Sequence, residues 1–139
     1  MRAIGLDLGT KRIGVAVSDF SGTIASPHSV IQRSKSLRLD HQKILDLVIE
    51  EEAEIVIVGL PLLMSGTHGP AAKAATTEAR RLSTVLSVPV EMFDERMTTV
   101  AADRVLKEAE LSATARRQFV DKVAAAIMLQ AWLEKRRSL

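Results

Sequence analysis

The stretch GLDLGTKRIGVAVSD, residues Gly5–Asp19, sets two short strands on either side of a tight turn. Ile4, Leu6 and Leu8 alternate with Gly5 and Asp7, and Ile13, Val15 and Val17 alternate with Gly14, Ala16 and Ser18. A two-residue period is the mark of strands with one apolar face. The Gly9-Thr10-Lys11 segment between them is hairpin-like, with Gly9 free to adopt unusual dihedrals. Asp7 stands out, because a carboxylate among apolar neighbours is costly to bury without compensation. It shares a face with Ala3 and Gly5, and Gly14, Ala16 and Ser18 form an equally small face on the second strand. If these faces coincide, the surface around Asp7 is bare of bulk, and a helix, a metal or a phosphate backbone can approach closely.

DFSG (Asp19–Gly22) is a second turn. Thr23–Ile31 is a third strand, with Pro27 suggesting a sheet edge. The chain therefore opens with an antiparallel meander. From Ser36 the period becomes helical, with Ile44, Leu45, Val48 and Ile49 on one stripe. EIVIVGLPL (Glu54–Leu62) is a near-continuous apolar run, as in a strand buried on both faces. Pro70–Leu86 predicts a helix, VPVEMF (Val88–Phe93) a fifth strand, and Thr98 or Thr99 a cap for a helix reaching Glu110. Ser112 or Thr114 caps a last helix with Phe119, Val123, Ala124, Ile127, Met128 and Ala131 on one face, and KRRSL (Lys135–Leu139) is a frayed basic end. The order βββ-α-β-α-β-α-α predicts an α/β fold. Its mixed five-stranded sheet, an antiparallel three-strand meander plus two parallel strands, is flanked by helices.

The 139 residues suit a single domain spanning 1–139. The chain is 47% hydrophobic and 26% charged, ordinary for a globular protein. No apolar run approaches the roughly 20 residues of a membrane span, and the first strand begins without a charged-then-apolar leader. A cytoplasmic location and no membrane partner are expected. The absence of cysteine excludes disulfides, thiolate chemistry and Cys-based zinc sites. The formal net charge is +2, and basic residues come in pairs: Lys11-Arg12, Arg80-Arg81, Arg116-Arg117 and Arg136-Arg137. They allow a polyanionic partner without requiring one.

Acidic residues stand at Asp7 in the first strand, at Asp94 and Glu95 where the fifth ends, and at Asp121 in the last helix. Asp121 is read as early in its helix, where the macrodipole favours a carboxylate. Strand alternation places Asp94 with Val90 and Met92, and Glu95 with Glu91 and Phe93, but does not decide which side meets Asp7. Clustered carboxylates repel unless they share a proton or bind a cation. With oxygen donors, no Cys and the scattered His28, His41 and His68, the chemistry suits Mg2+ or Mn2+. A two-metal carboxylate site in turn suits phosphodiester hydrolysis. His41 is read as structural.

GLDLGTKRIGVAVSD, IVIVGLPLLMSG, DERMTT and DKVAAAIMLQAWL, in this order and spacing, resemble the YqgF/RuvX family. Its members are described as Holliday junction resolvases and as nucleases that mature the 5′ end of precursor 16S ribosomal RNA. The resemblance covers essentially the whole chain and implies a ribonuclease H-like fold. It also implies a metal-dependent nuclease in which Asp7, Glu95 and Asp121 are catalytic and hold the metal. Glu95 rather than Asp94 is the ligand on this ground alone, and Asp94 is left to cap the next helix or orient Arg96.

SGTHGP (Ser65–Pro70) is read as a mobile loop at a strand's C-terminal end, where α/β ligand sites lie. With Lys11, Arg12, Lys73 and Arg96 it is placed to guide precursor RNA or branched DNA. Aromatic residues are 3% of the chain, so phosphate contact and shape, not base stacking, are expected to dominate binding. Two other readings compete. DLGTKRIGVAVSD also resembles the phosphate-binding hairpin of the actin and sugar-kinase group, which suggests a nucleotide phosphotransferase, although that group closes two lobes on its nucleotide. The other is a non-catalytic nucleic-acid-binding or ribosome-associated factor.

Overall fold

The computed structural model describes residues 1–98 and 113–138. The strands are β1 (Ala3–Leu8), β2 (Arg12–Ser18), β3 (Ala25–Gln32), β4 (Ile55–Leu60) and β5 (Val90–Asp94). The helices are α1 (Leu37–Glu50), α2 (Pro70–Val85) and α3 (Ala113–Arg137), and a 3-10 turn, Glu95–Thr98, follows β5. The sheet order is β3-β2-β1-β4-β5. β1 to β3 form the expected antiparallel meander, and β1, β4 and β5 run parallel. β3, which contains Pro27, is an edge strand, where a missing N–H costs least.

Each face of the sheet has its own core. Ile4, Leu6, Ile13, Val15, Val56 and Val58 pack beneath α1 and α2 with Ile44, Val48 and Leu82. Ala3, Ala16, Ile57 and Phe93 pack against α3 through Ala125, Met128, Leu129, Trp132 and Leu133. Alternation along β1 therefore sends Ile4 and Leu6 to one side and Asp7 to the other, the α3 side. Asp7 is not wedged into the core that its sequence neighbours build.

Ser36 caps α1, its hydroxyl accepting from Leu39 N at 3.3 Å. Of the helix expected from Thr98 or Thr99 to Glu110, Thr98 closes the 3-10 turn and the rest lies outside the described residues, as do the Ser112 cap and the side chain of Phe119. Thr114 falls inside α3 and is not its cap. The basic end is not frayed: α3 is helical to Arg137. Lys135 sits 5.8 Å from the Phe93 ring and Arg136 5.4 Å from the Trp132 ring, so cation–π contact and stem packing hold this turn down.

One guanidinium ties the β1–β2 turn to α2, and through a shared carboxylate to α1. Arg33 Nε donates to the Gly9 carbonyl at 2.7 Å, and Arg33 N donates to the Lys11 carbonyl at 3.0 Å. Its two terminal nitrogens reach both oxygens of Glu78 on α2 at 2.9 and 2.8 Å. His41 of α1, buried as its structural role requires, makes a 2.8 Å bond to the same carboxylate. Burial opposes ionisation of Glu78, but the hydrogen bonds from Arg33 and His41 outweigh it and hold the carboxyl below its ordinary range. Among the described residues, no helix is long and apolar enough to cross a membrane.

Candidate active site

Three parallel strands end on the same side of the sheet, and the chain leaves each of them near an acid or a loop. Asp7 is the penultimate residue of β1, Glu95 is the first residue beyond β5, and the 61–69 loop follows β4. Ligands of open α/β sheets collect at these carboxyl ends. The small faces of the meander do coincide, with Gly5 opposite Ala16 and Asp7 opposite Gly14. They are filled by a helix. A Cβ at Gly14 would lie 2.0 Å from the Asp121 carbonyl oxygen, and one at Gly5 would lie 2.9 Å from Leu129 Cβ. The two glycines let α3 lie almost on the strand backbones, and that approach brings Asp121 over to Asp7.

Glu95 is placed by a third glycine. Phe93 packs on the α3 side with Ile57, and Glu95 keeps the parity of Phe93. Its carboxylate lies over Gly59, where an added Cβ would stand 2.2 Å from Glu95 Oε1. Gly59 was not singled out from the sequence, although an isolated glycine inside an apolar strand is itself a sign of close approach. Asp94 faces the other way. It accepts from Arg96 N at 3.0 Å and from Arg96 Nη2 at 2.7 Å, so it orients Arg96. Arg96 Nη1 also donates to the Met64 carbonyl at 3.3 Å, tying the 61–69 loop to the end of β5. That loop is bonded within itself, through Leu63 N to the Thr67 carbonyl and Gly66 N to the Leu63 carbonyl, at 3.0 and 2.8 Å.

The acids sense one another. Burial raises the Asp7 pKa, and the Asp121 charge raises it further. Burial, then the charges of Asp7 and Asp94, push Glu95 up to about 7. Asp94 moves the other way, its carboxyl lowered chiefly by the hydrogen bonds from Arg96. Asp121 is paired with Arg12, whose Nε lies 2.6 Å from Asp121 Oδ2. Asp121 stands more than two turns inside α3, so the helix dipole, which acts within the first turn, does not explain it. Of the cations expected to guide nucleic acid, Arg12 and Arg96 hold acids of this cluster. Lys11 is exposed on the β1–β2 turn, and Lys73 is exposed in the first turn of α2.

The donor set suits a hard divalent cation in its chemistry. It is all oxygen, two of its members carry raised pKa values, and among the described residues no hydrogen bond reaches the Asp7 carboxylate. No three Asp, Glu or His side chains among the described residues converge as a ready-made ligand set. Arg12 holds the third acid to one side.

Glu95 also sets a pH dependence. A carboxyl held near 7 when folded, against an ordinary 4.5, binds its proton more tightly in the folded state. Stability on its account is intact below about pH 4.5 and falls as pH rises to about 7. Allowing for solvent screening of a half-buried group, the loss is about 1–2 kcal/mol. Thermal melts in chelator between these pH values should show wild type declining relative to Glu95→Gln. Parallel curves would contradict the raised pKa.

A mixed five-stranded sheet in this order, with acids at the strand ends and a long helix across one face, is the ribonuclease H-like architecture. The solved structure titled "T. thermophilus RuvC in complex with Holliday junction substrate" shares it, with a TM-score of 0.60 over 99% of this chain and 96% of that one. At 17% identity this likeness speaks for the fold alone. Residues 1–135 match the RuvX family, described as Holliday junction resolvase. A "Putative pre-16S rRNA nuclease" of Syntrophomonas wolfei is 46% identical over 134 residues, covering 96% of this chain and 94% of the relative. A relative of the same description from Myxococcus xanthus is 47% identical over 137 residues, covering 99% and 90%. The chain belongs to the RuvX family, and nuclease chemistry is the activity class that this membership gives it.

Proposed function

We propose that this chain, acting as one catalytic domain, hydrolyses phosphodiester bonds at the 5′ end of precursor 16S ribosomal RNA through Asp7, Glu95 and Asp121. The observation that carries this reading is geometric: Asp7 stands opposite Gly14 on β2, where α3 brings Asp121 against the strand, and the Glu95 carboxylate lies over Gly59 of β4, the strand beside β1. The descriptions of the relatives favour an RNA substrate, and the family's description keeps a four-way DNA junction as the second.

Asp7 and Glu95 would hold Mg2+ or Mn2+, with Asp121 as the third ligand. Bound there, a divalent ion supplies an activated water and charge stabilisation at the leaving oxygen. The chain's own residues do the rest. Gly14 and Gly59 let the acids approach, Arg12 orients Asp121, and Asp94 fixes Arg96 beside the 61–69 loop. Lys11 and Arg96 would meet substrate phosphates.

The test is a substrate panel of precursor rRNA fragments, four-way DNA junctions, duplex DNA and single strands, each with magnesium and with manganese. Wild type should cleave the precursor fragment in preference to the rest. Glu95→Gln should fall to background. Asp94→Asn should lose activity only in part, because it frees Arg96 and leaves the proposed ligands in place. An inactive Asp94→Asn beside an active Glu95→Gln would exchange their roles, and cleavage of DNA junctions alone would move the substrate to DNA.

A further inference from the structure

We propose that the flank of α2 is a second nucleic-acid contact: a track for the phosphate backbone of an RNA stem leaving the cleavage site, with Lys73 and Arg81 as its contacts. The inference rests on the nuclease reading above and extends it to a surface away from the acids.

Lys73, Thr77 and Arg81 recur every four residues on α2 and are all exposed. With Leu37, Ala74 and Glu78 they line an open hollow of about 430 Å³. Eight residues of helix set the two positions about 12 Å apart along its axis, a span of several phosphates along one strand. Thr77 between them turns its hydroxyl back to the Lys73 carbonyl at 3.0 Å and adds no charge. Glu78 is the acid in the lining, and its carboxylate is already held by Arg33 and His41. Among the described residues no carboxylate forms an ion pair with Lys73 or Arg81. The hollow therefore presents two uncompensated positive charges on a fixed scaffold.

Topology gives the track its direction. α2 begins just beyond the 61–69 loop, so Lys73 lies beside the carboxyl ends of the strands, and Arg81 lies two turns further down the flank. α1 and α2 both run toward the other end of the sheet, where Asp46, Glu50, Glu52 and Glu54 lie along and just after the last turn of α1 and Glu51 is paired with Arg2 and His28. The acids of that end repel a polyanion, so they bound the track beyond Arg81. No aromatic residue lines the hollow. Single strands are held on stacking platforms, whereas a stem is recognised through its backbone and shape. The stem is the occupant that this chemistry fits.

Binding of a precursor fragment that carries a stem, and of a trimmed one without it, would be measured across a salt series. Arg81→Ala and Lys73→Ala should each weaken stem binding several-fold and lower the salt slope by about one. Arg81→Ala should bind the trimmed fragment as wild type does. Arg80→Ala, the next residue on the chain but outside the hollow, should change neither fragment. If Arg81→Ala bound the stem like wild type, or Arg80→Ala lost as much, the track would be overturned while the nuclease reading stood. An effect on a DNA duplex of equal length but none on the RNA stem would also overturn it. Wild type that bound no nucleic acid would remove the nuclease reading itself, and the track with it.

Discussion

Asp7→Asn is expected to melt at a higher temperature than wild type in chelator and to cleave nothing in magnesium. The substitution keeps the volume and removes one charge from a place where burial and Asp121 both disfavour it. No hydrogen bond among the described residues is lost from the carboxylate, so little opposes the gain. The gain also extends to Glu95, which burial first and then the Asp7 charge push up. A rise of a few degrees is the expected size. Excess magnesium should reverse the order: a ligand that binds only the folded state stabilises by mass action, about 2.7 kcal/mol at 100 times its Kd. The variant has lost a ligand and gains less. Melting curves of both proteins with and without metal, beside a cleavage assay, read all of this. Strong destabilisation of the variant in chelator would make Asp7 a structural partner and remove the physical basis of the site.

Gly14→Ala should do the opposite to stability and the same to activity. The new methyl group would stand 2.0 Å from the Asp121 carbonyl oxygen. The methyl is fixed by its own backbone and the oxygen it meets is backbone, so no rotamer change relieves the clash. α3 must withdraw, and it carries Ala125, Met128, Leu129, Trp132 and Leu133 of the second core. Overpacking of this kind costs about 3 kcal/mol, on the order of 10 °C in Tm for a chain of this length. The shift also carries Asp121 away from Arg12 and Asp7. Cleavage should therefore stay low at temperatures where circular dichroism reports a folded variant. Wild-type melting and activity in Gly14→Ala would show that α3 does not rest on β2 here.

The sheet was legible in the sequence because its signal is local. Ile13, Val15 and Val17 alternate over a handful of residues, and Pro27 marks an edge without reference to anything distant. Asp7 was legible for the same reason, as a charge out of place in such a pattern. What local pattern could not give was the partner of each acid. Glu95 falls just past β5, and only the packing of Phe93 beneath α3 shows which side it takes. Asp121 was read through its own helix, whereas its charge is answered by Arg12 on β2. The basic end looked loose because Phe93 and Trp132, the rings that receive Lys135 and Arg136, are separated in sequence and meet only across the sheet face.

The clasp that Arg33 makes between Gly9, Lys11 and Glu78 bears on how the enzyme can be re-engineered. The Gly9–Lys11 turn looks like an independent hairpin tip, the usual place for a designer to graft or randomise. Its carbonyls are held by a residue more than twenty positions away, and that residue is itself held by Glu78 of α2, which His41 of α1 also binds. Randomising the tip alone leaves the clasp intact and samples little. Editing Glu78 frees the tip but also releases the helix that borders it. Tip and flank are thus one unit of inheritance for any redesign, and libraries should vary them together.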